Sequence, residues 1–137
     1  MSKEKLQEKY VLYQLLQQNL ETLRQQLEMV ERQFIETKTT EQVFKDLKSG
    51  KGNDDVLIPL GGGCYGKGRI TDTKNFLVGV GANIMTQKTM KSAELFLQER
   101  ERELENASRE IQEHMSKVAN QINEIATEIQ AMVKKEK

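Results

Sequence analysis

The stretch DVLIPLGGGCYGKGRITDTKNFLVGVGANIMTQKT, residues 55–89, holds seven of the chain's nine glycines, its only proline (Pro59) and its only cysteine (Cys64). Four short runs within it combine β-branched or aromatic residues with flanking turn formers, the signature of strands. The first, 56–60, closes on Gly61-Gly62-Gly63. The second, 64–70, alternates Tyr65, Lys67 and Arg69 with Gly66, Gly68 and Ile70. After a turn at Asp72-Thr73-Lys74-Asn75 come a third run at 76–80 and, past Gly81-Ala82-Asn83, a fourth from Ile84 to about Lys88. The pattern predicts two consecutive β-hairpins. Hairpins this short bury little alone and leave open edges, so they are expected to pair with other chains. The apolar residues expected to serve subunit assembly are Val56, Ile58, Leu60, Ile70, Phe76, Val78, Val80 and Ile84.

Two phosphate-binding motifs are nearly spelled here, and both fail on context. Gly61-x-x-x-x-Gly66-Lys67 lacks the following Ser or Thr, because position 68 is glycine, and 68–73 is unfit to start the helix that would face a phosphate. Gly61-x-Gly63-x-x-Gly66 has no βαβ unit around it. Tight-turn glycines account for both, and no nucleotide, cofactor or metal is expected.

Working outward, residues 2–48 read as one helix. Leu6, Tyr13, Leu20, Leu27 and Phe34 recur every seven residues, and Leu16, Leu23 and Val30 follow members of that series by three. This is an a/d heptad seam, the mark of a coiled coil. Thr37–Thr40 weakens the pattern through poor helix propensity; Val43, Phe44 and Leu47 restore apolar character before a polar, glycine-rich loop over Ser49–Asp54. Beyond the hairpins, Thr89 is an N-cap candidate for a second helix over 90–136. There Leu104, Ile111, Val118, Ile125 and Met132 recur every seven, with Met115, Ile122 and Ile129 four residues after members. Each arm would span roughly 70 Å at the helical rise of about 1.5 Å per residue.

Run antiparallel, the two seams pair Leu6 with Met132, Tyr13 with Ile125, Leu16 with Ile122, Leu20 with Val118, Leu23 with Met115, Leu27 with Ile111 and Phe34 with Leu104. Each pair of numbers sums to 138, which centres the fold on residue 69, inside the hairpins. The expected architecture is mainly α: a long antiparallel two-helix coiled coil with two central β-hairpins, one domain over 1–137.

Composition agrees. The 137 residues carry 21 acidic and 21 basic side chains, so no net field attracts nucleic acid or an anionic membrane. A charged fraction of 31% with 5% aromatics suits long helices with a narrow apolar seam. One cysteine excludes a disulfide framework, and the N-terminus has no continuous apolar run, so a cytoplasmic protein is expected.

In its layout the chain resembles the alpha-type subunits of prefoldin. The specific part is Val56-Leu57-Ile58-Pro59-Leu60-Gly61, Ile70-x-Asp72-Thr73, Val78-Gly79-Val80-Gly81 and Lys88-Thr89. It departs from the family in its triple glycine and in Cys64-Tyr65. The resemblance implies an ATP-independent holdase, not an enzyme. It implies a hetero-oligomer of two alpha-type and four beta-type subunits whose hairpins join an intersubunit β-barrel platform. It also implies that coiled-coil ends grip non-native proteins and pass them to a group II chaperonin.

The residues point to the same ends independently. Apolar side chains exceed the seam near the start of the first helix, at Tyr10, Val11, Leu12 and Leu15, and Val133 adds to Ile129 and Met132 in the second. Surplus apolar surface marks an interaction site. With Leu6, these eight residues form the expected client-binding tip. Cys64 reads as a small packed residue, with no histidine near it in sequence, and His114 lacks the companions of a metal or catalytic site. Lys67 and Arg69 read as a solvated strand face or an intersubunit ion pair. The competing reading is a structural tether whose arms bind one helical partner; a nucleotide-using enzyme is a distant third.

Overall fold

A computed structural model describes residues 2–50 and 55–135. Of the loop read over Ser49–Asp54, Lys51–Asp54 lie outside the described residues, as do Met1, Glu136 and Lys137. The element order is α1 (Ser2–Lys48), β1 (Val56–Gly61), β2 (Cys64–Gly68), β3 (Asn75–Gly81), β4 (Ile84–Thr89) and α2 (Met90–Lys135). Glu4 in the first turn of α1, Lys45 and Lys48 in its last, and Lys134 and Lys135 at the end of α2 all complement the helix dipoles. No helix among the described residues is long and apolar enough to cross a membrane.

The chain divides into two compact units, one of Met1–Gln33 with Leu104–Lys137 and one of Phe34–Glu103. In the first, Leu16, Leu23, Val118, Ile125 and Ile129 form a buried cluster, with Leu6, Tyr13, Leu20, Ile111, Met115 and Ile122 packed against it. These are the a and d residues of both heptad series, so here the helices pack along the expected seam. Lys9, at a d position, replaces apolar packing with an ion pair to Glu128. That contact falls within one residue of the antiparallel pairing read from the repeat.

In the second unit the seam of α1 continues through polar residues. Thr37 is buried at d, Glu41 half-buried at a, and Phe44 buried at the next d. Phe44, Leu47 and Ala93 make the core, with Ile70, Phe76, Val78, Met90 and Leu97 against it. The threonines do not interrupt the helix. Thr39 and Thr40 donate their hydroxyls to the carbonyls of Ile35 and Glu36, four residues back, a side-chain bond that an intact helix accommodates. At α2 the amide of Ser92 donates to Thr89 Oγ1 at 3.2 Å, the N-cap geometry.

Each hairpin is a separate two-stranded antiparallel sheet. Both are built alike. The register shifts between Pro59 and Gly61 in one and between Gly79 and Gly81 in the other. Two-residue turns with positive φ follow, Gly62-Gly63 (61° and 81°) and Ala82-Asn83 (51° and 61°). Positive φ at both central residues is the type I′ hairpin turn, whose twist matches that of the strands. Gly61–Gly68 is therefore turn and then strand, with no helix to receive a phosphate. Strand β2 ends at Gly68, so Arg69 and Ile70 lie past it; Arg69 Nε donates to Asp55 Oδ1 at 3.0 Å.

Candidate functional site

Two surfaces carry most of the apolar residues that the chain does not bury; Met29, Ile35, Val43 and Leu95 are exposed elsewhere on the helices. The first is the start of α1 with the end of α2. A two-helix seam uses a and d alone. Tyr10 and Leu12 flank it, whereas Val11 and Leu15 occupy positions turned away from it, and i,i+4 spacing sets those two side by side. All four are exposed, Val11 at 55% and Leu15 at 51%. Val133 is also exposed, while Leu6 and Met132 are half-buried and Ile129 is buried. The eight tip residues thus separate by depth: Ile129, Leu6 and Met132 serve the seam, and Tyr10, Val11, Leu12, Leu15 and Val133 face solvent. The Lys9–Glu128 pair sits among them, so the apolar surface is bordered by charge.

The second surface is on the hairpins. Directly opposed residues in an antiparallel pair share a face. In β3–β4 the pairs Phe76/Lys88 and Val78/Thr86 define the face whose Phe76 and Val78 pack on Phe44, Leu47 and Ala93. Leu77/Gln87 and Gly79/Met85 define the opposite face, and Leu77 and Met85 are exposed there. In β1–β2, Val56 and Ile58 lie opposite Gly68 and Gly66, so one strand furnishes all the side chains of that face. Of the eight residues expected in assembly, Ile70, Phe76 and Val78 pack within the chain's own core. Val56 is half-buried, and Ile58, Leu60, Val80 and Ile84 are exposed. Leu57, Leu77, Met85 and Tyr65 are exposed as well and escaped the sequence reading. Strand parity alone pairs Leu57 against Ile58 and Leu77 against Phe76; which parity faces outward depends on where α1 and α2 pack.

Isolated polar groups add little. Cys64 is a free, exposed thiol at the start of β2, and His114 is exposed on α2. Among the described residues no group of three His, Cys, Asp or Glu side chains could hold a metal ion.

The Prefoldin subunit family model matches residues 16–135, through both helices and both hairpins. The chain belongs to the prefoldin family. Among its relatives, prefoldin subunit alpha 1 of Thermococcus kodakarensis is 35% identical over 99 residues, covering 72% of this chain and 68% of that protein. Prefoldin subunit alpha of Pyrococcus horikoshii is 31% identical over 96 residues, 69% of this chain and 65% of that one. Prefoldin subunit alpha of Methanococcoides burtonii is 37% identical over 89 residues, 65% and 64% respectively. A cryo-EM structure of filamentous PFD from Methanocaldococcus jannaschii contains a chain that aligns with a TM-score of 0.68 at 16% identity, over 85% of this chain and 96% of that one. At that identity the likeness establishes the prefoldin fold alone. Prefoldin membership supports a chaperone-type function rather than an enzymatic one.

Proposed function

We propose that this chain is the alpha-type subunit of an ATP-independent holdase. It acts as one domain over residues 1–137, and its apolar tip binds non-native proteins and passes them to a group II chaperonin. The observation that carries this reading is the cluster of Tyr10, Val11, Leu12 and Leu15, exposed beside a seam that Leu6, Tyr13 and Leu16 already fill. Apolar surface beyond the need of the seam has no role in holding two helices together, and unselective apolar contact is what capture of unfolded chains requires. Leucine and methionine side chains adapt to many partners.

The hairpins are the assembly surface in this reading. Among the described residues the outer edge of each strand has no pairing partner, and Ile58, Leu60, Val80 and Ile84 are exposed beside Leu57, Leu77 and Met85. Oligomerisation with other prefoldin subunits follows from family membership, and beta-type partners in a ratio of two alpha to four beta are the proposed stoichiometry. Native mass measurement of the chain, alone and mixed with a beta-type subunit, tests it.

Replacing Tyr10, Leu12 and Val133 together by serine tests the tip. Suppression of aggregation of several unrelated denatured proteins, without ATP, should fall while the mass of the assembly is unchanged. Undiminished suppression in a correctly assembled variant would sink the assignment.

A further inference from the structure

Below the Phe44 core, α1 places a carboxylate at a seam position of the kind that Leu6, Tyr13, Leu20 and Leu27 fill with apolar groups. Glu41 is the a residue seven after Phe34, and it is half-buried. Across from it stands Glu101 of α2. One ammonium serves both: Lys38 Nζ lies 2.5 Å from Glu101 Oε1 and 3.9 Å from Glu41 Oε2. The other oxygen of Glu41, Oε1, is shut away from solvent and meets no hydrogen-bond donor. Glu41 also borders a cavity of about 60 Å³ that it shares with Phe44, Lys45, Glu94 and Gln98. Glu94 is answered by its own cation, Lys48, at 2.6 Å. Two carboxylates thus share one bridging lysine, with Lys45 as the further positive charge acting on both. On the hairpin face packed against the adjoining core, Phe76 and Val78 are apolar, and the one cation, Lys88 opposite Phe76, has its Nζ over the Phe96 ring at 5.9 Å.

We propose that Glu41 and Glu101 share one proton under Lys38 and so form a latch between α1 and α2, closed in mild acid and loosened toward neutral pH. With one proton between them, Glu41 donates to Glu101 and Lys38 neutralises the remaining charge. With none, two anions face each other at a partly desolvated seam position, and like charges that close disfavour joint ionisation. The carboxyl of Glu41 is accordingly raised above 4.5, chiefly by its hydrogen bond with Glu101, then by desolvation and by the Glu101 charge. That of Glu101 is lowered by hydrogen bonds from Glu41 and Lys38. The contribution of Glu41 is fully present below 4.5 and lost as pH rises through its raised value. That of Glu101 is present above 4.5 and lost as pH falls through its lowered one. The closed window therefore brackets 4.5.

The test is denaturant unfolding of the full chain at fixed concentration from about pH 4 to about pH 8, for wild type, Glu41→Gln and Lys38→Met. Glutamine donates to Glu101 at every pH. Its midpoint should match wild type near the acidic end and exceed it increasingly toward neutral. Lys38→Met should steepen the neutral-side loss. Parallel profiles for wild type and Glu41→Gln would overturn the latch. Independently of whether the variants fold, a carbon-13 titration of the wild-type Glu41 carboxyl should give a midpoint above the ordinary carboxylate range, and an ordinary midpoint also overturns it.

Discussion

Phe44 of α1 and Phe76 of β3 meet ring to ring, with centroids 4.8 Å apart and planes inclined by 49°. Tilted contact at this distance is a favoured aromatic arrangement. It fastens the second hairpin onto the helix that precedes both hairpins in sequence. Truncating Phe44, which is buried, should cost about 3 kcal/mol in unfolding at fixed protomer concentration. Phe44→Leu, which keeps most of the volume, should cost about half that or less. Equal losses would show that the site tolerates no reshaping.

The two hairpin turns have the same geometry but different residues. Gly62-Gly63 adopts positive φ freely, whereas Ala82 is held at φ 51°, and a β-carbon there costs about 1 kcal/mol. Ala82→Gly should raise stability by up to about 1 kcal/mol, offset in part by the added freedom of the unfolded chain. Gly62→Val should act in the opposite sense and more strongly. Thermal unfolding of both variants checks the pair.

Asp72 organises the link between the hairpins. Its Oδ1 accepts the amides of Lys74 and Asn75 at 2.9 and 3.0 Å, and the carbonyl of Lys74 accepts the amide of Met90, the first residue of α2. Those two amides hold the Asp72 carboxyl below 3.8. Because the folded value is lowered, the stabilisation is present above 3.8 and lost as pH falls through the lowered value. Amide exchange at Lys74 and Asn75, corrected for intrinsic rates, should lose protection in wild type only on that acidic side. In Asp72→Ala it should be unprotected throughout.

Thr89 accepts the amide of Ser92 where β4 hands over to α2. Removing the hydroxyl in Thr89→Ala should cost about 1 kcal/mol, and Thr89→Ser should restore most of it.

The antiparallel pairing is open to covalent test. Leu20 packs against the cluster that contains Val118. Cysteines at these two positions should close a disulfide within one chain, because seam partners bring Cβ atoms within bridging range. A displacement by one heptad would leave them about 10 Å apart along the axis and the thiols free.

Long-period features were readable from the residues alone. Leu6, Tyr13, Leu20 and Leu27 repeat without interruption, and the glycine pairs announce hairpin turns. The seam past Phe34 was hidden because Thr37 and Glu41 occupy its a and d positions, and a polar residue carries no trace of burial in its type. The hairpin faces were hidden for the opposite reason. Leu57 and Ile58, or Phe76 and Leu77, are both apolar, so alternation gives no sign of which side meets the helices. Depth at the tip followed heptad position and not residue type: Ile129 and Val133 differ little in chemistry, yet Ile129 lies on the seam repeat and is buried while Val133 lies off it and is exposed.

The glycines of β2 have a consequence for how this surface tolerates change. A β-carbon on Gly68 would stand 2.5 Å from Ile58 Cδ1, so the resting place of Ile58 is made by the lack of a side chain across the ladder. Any residue but glycine at position 68 would lever Ile58 upward and reshape the apolar contour from behind, without touching anything beyond its own hairpin. In a saturation scan, position 68 should therefore behave like an interface residue although it has no side chain to offer a neighbour. Alanine should be the mildest offender, because the displaced atom is the free end of a flexible side chain.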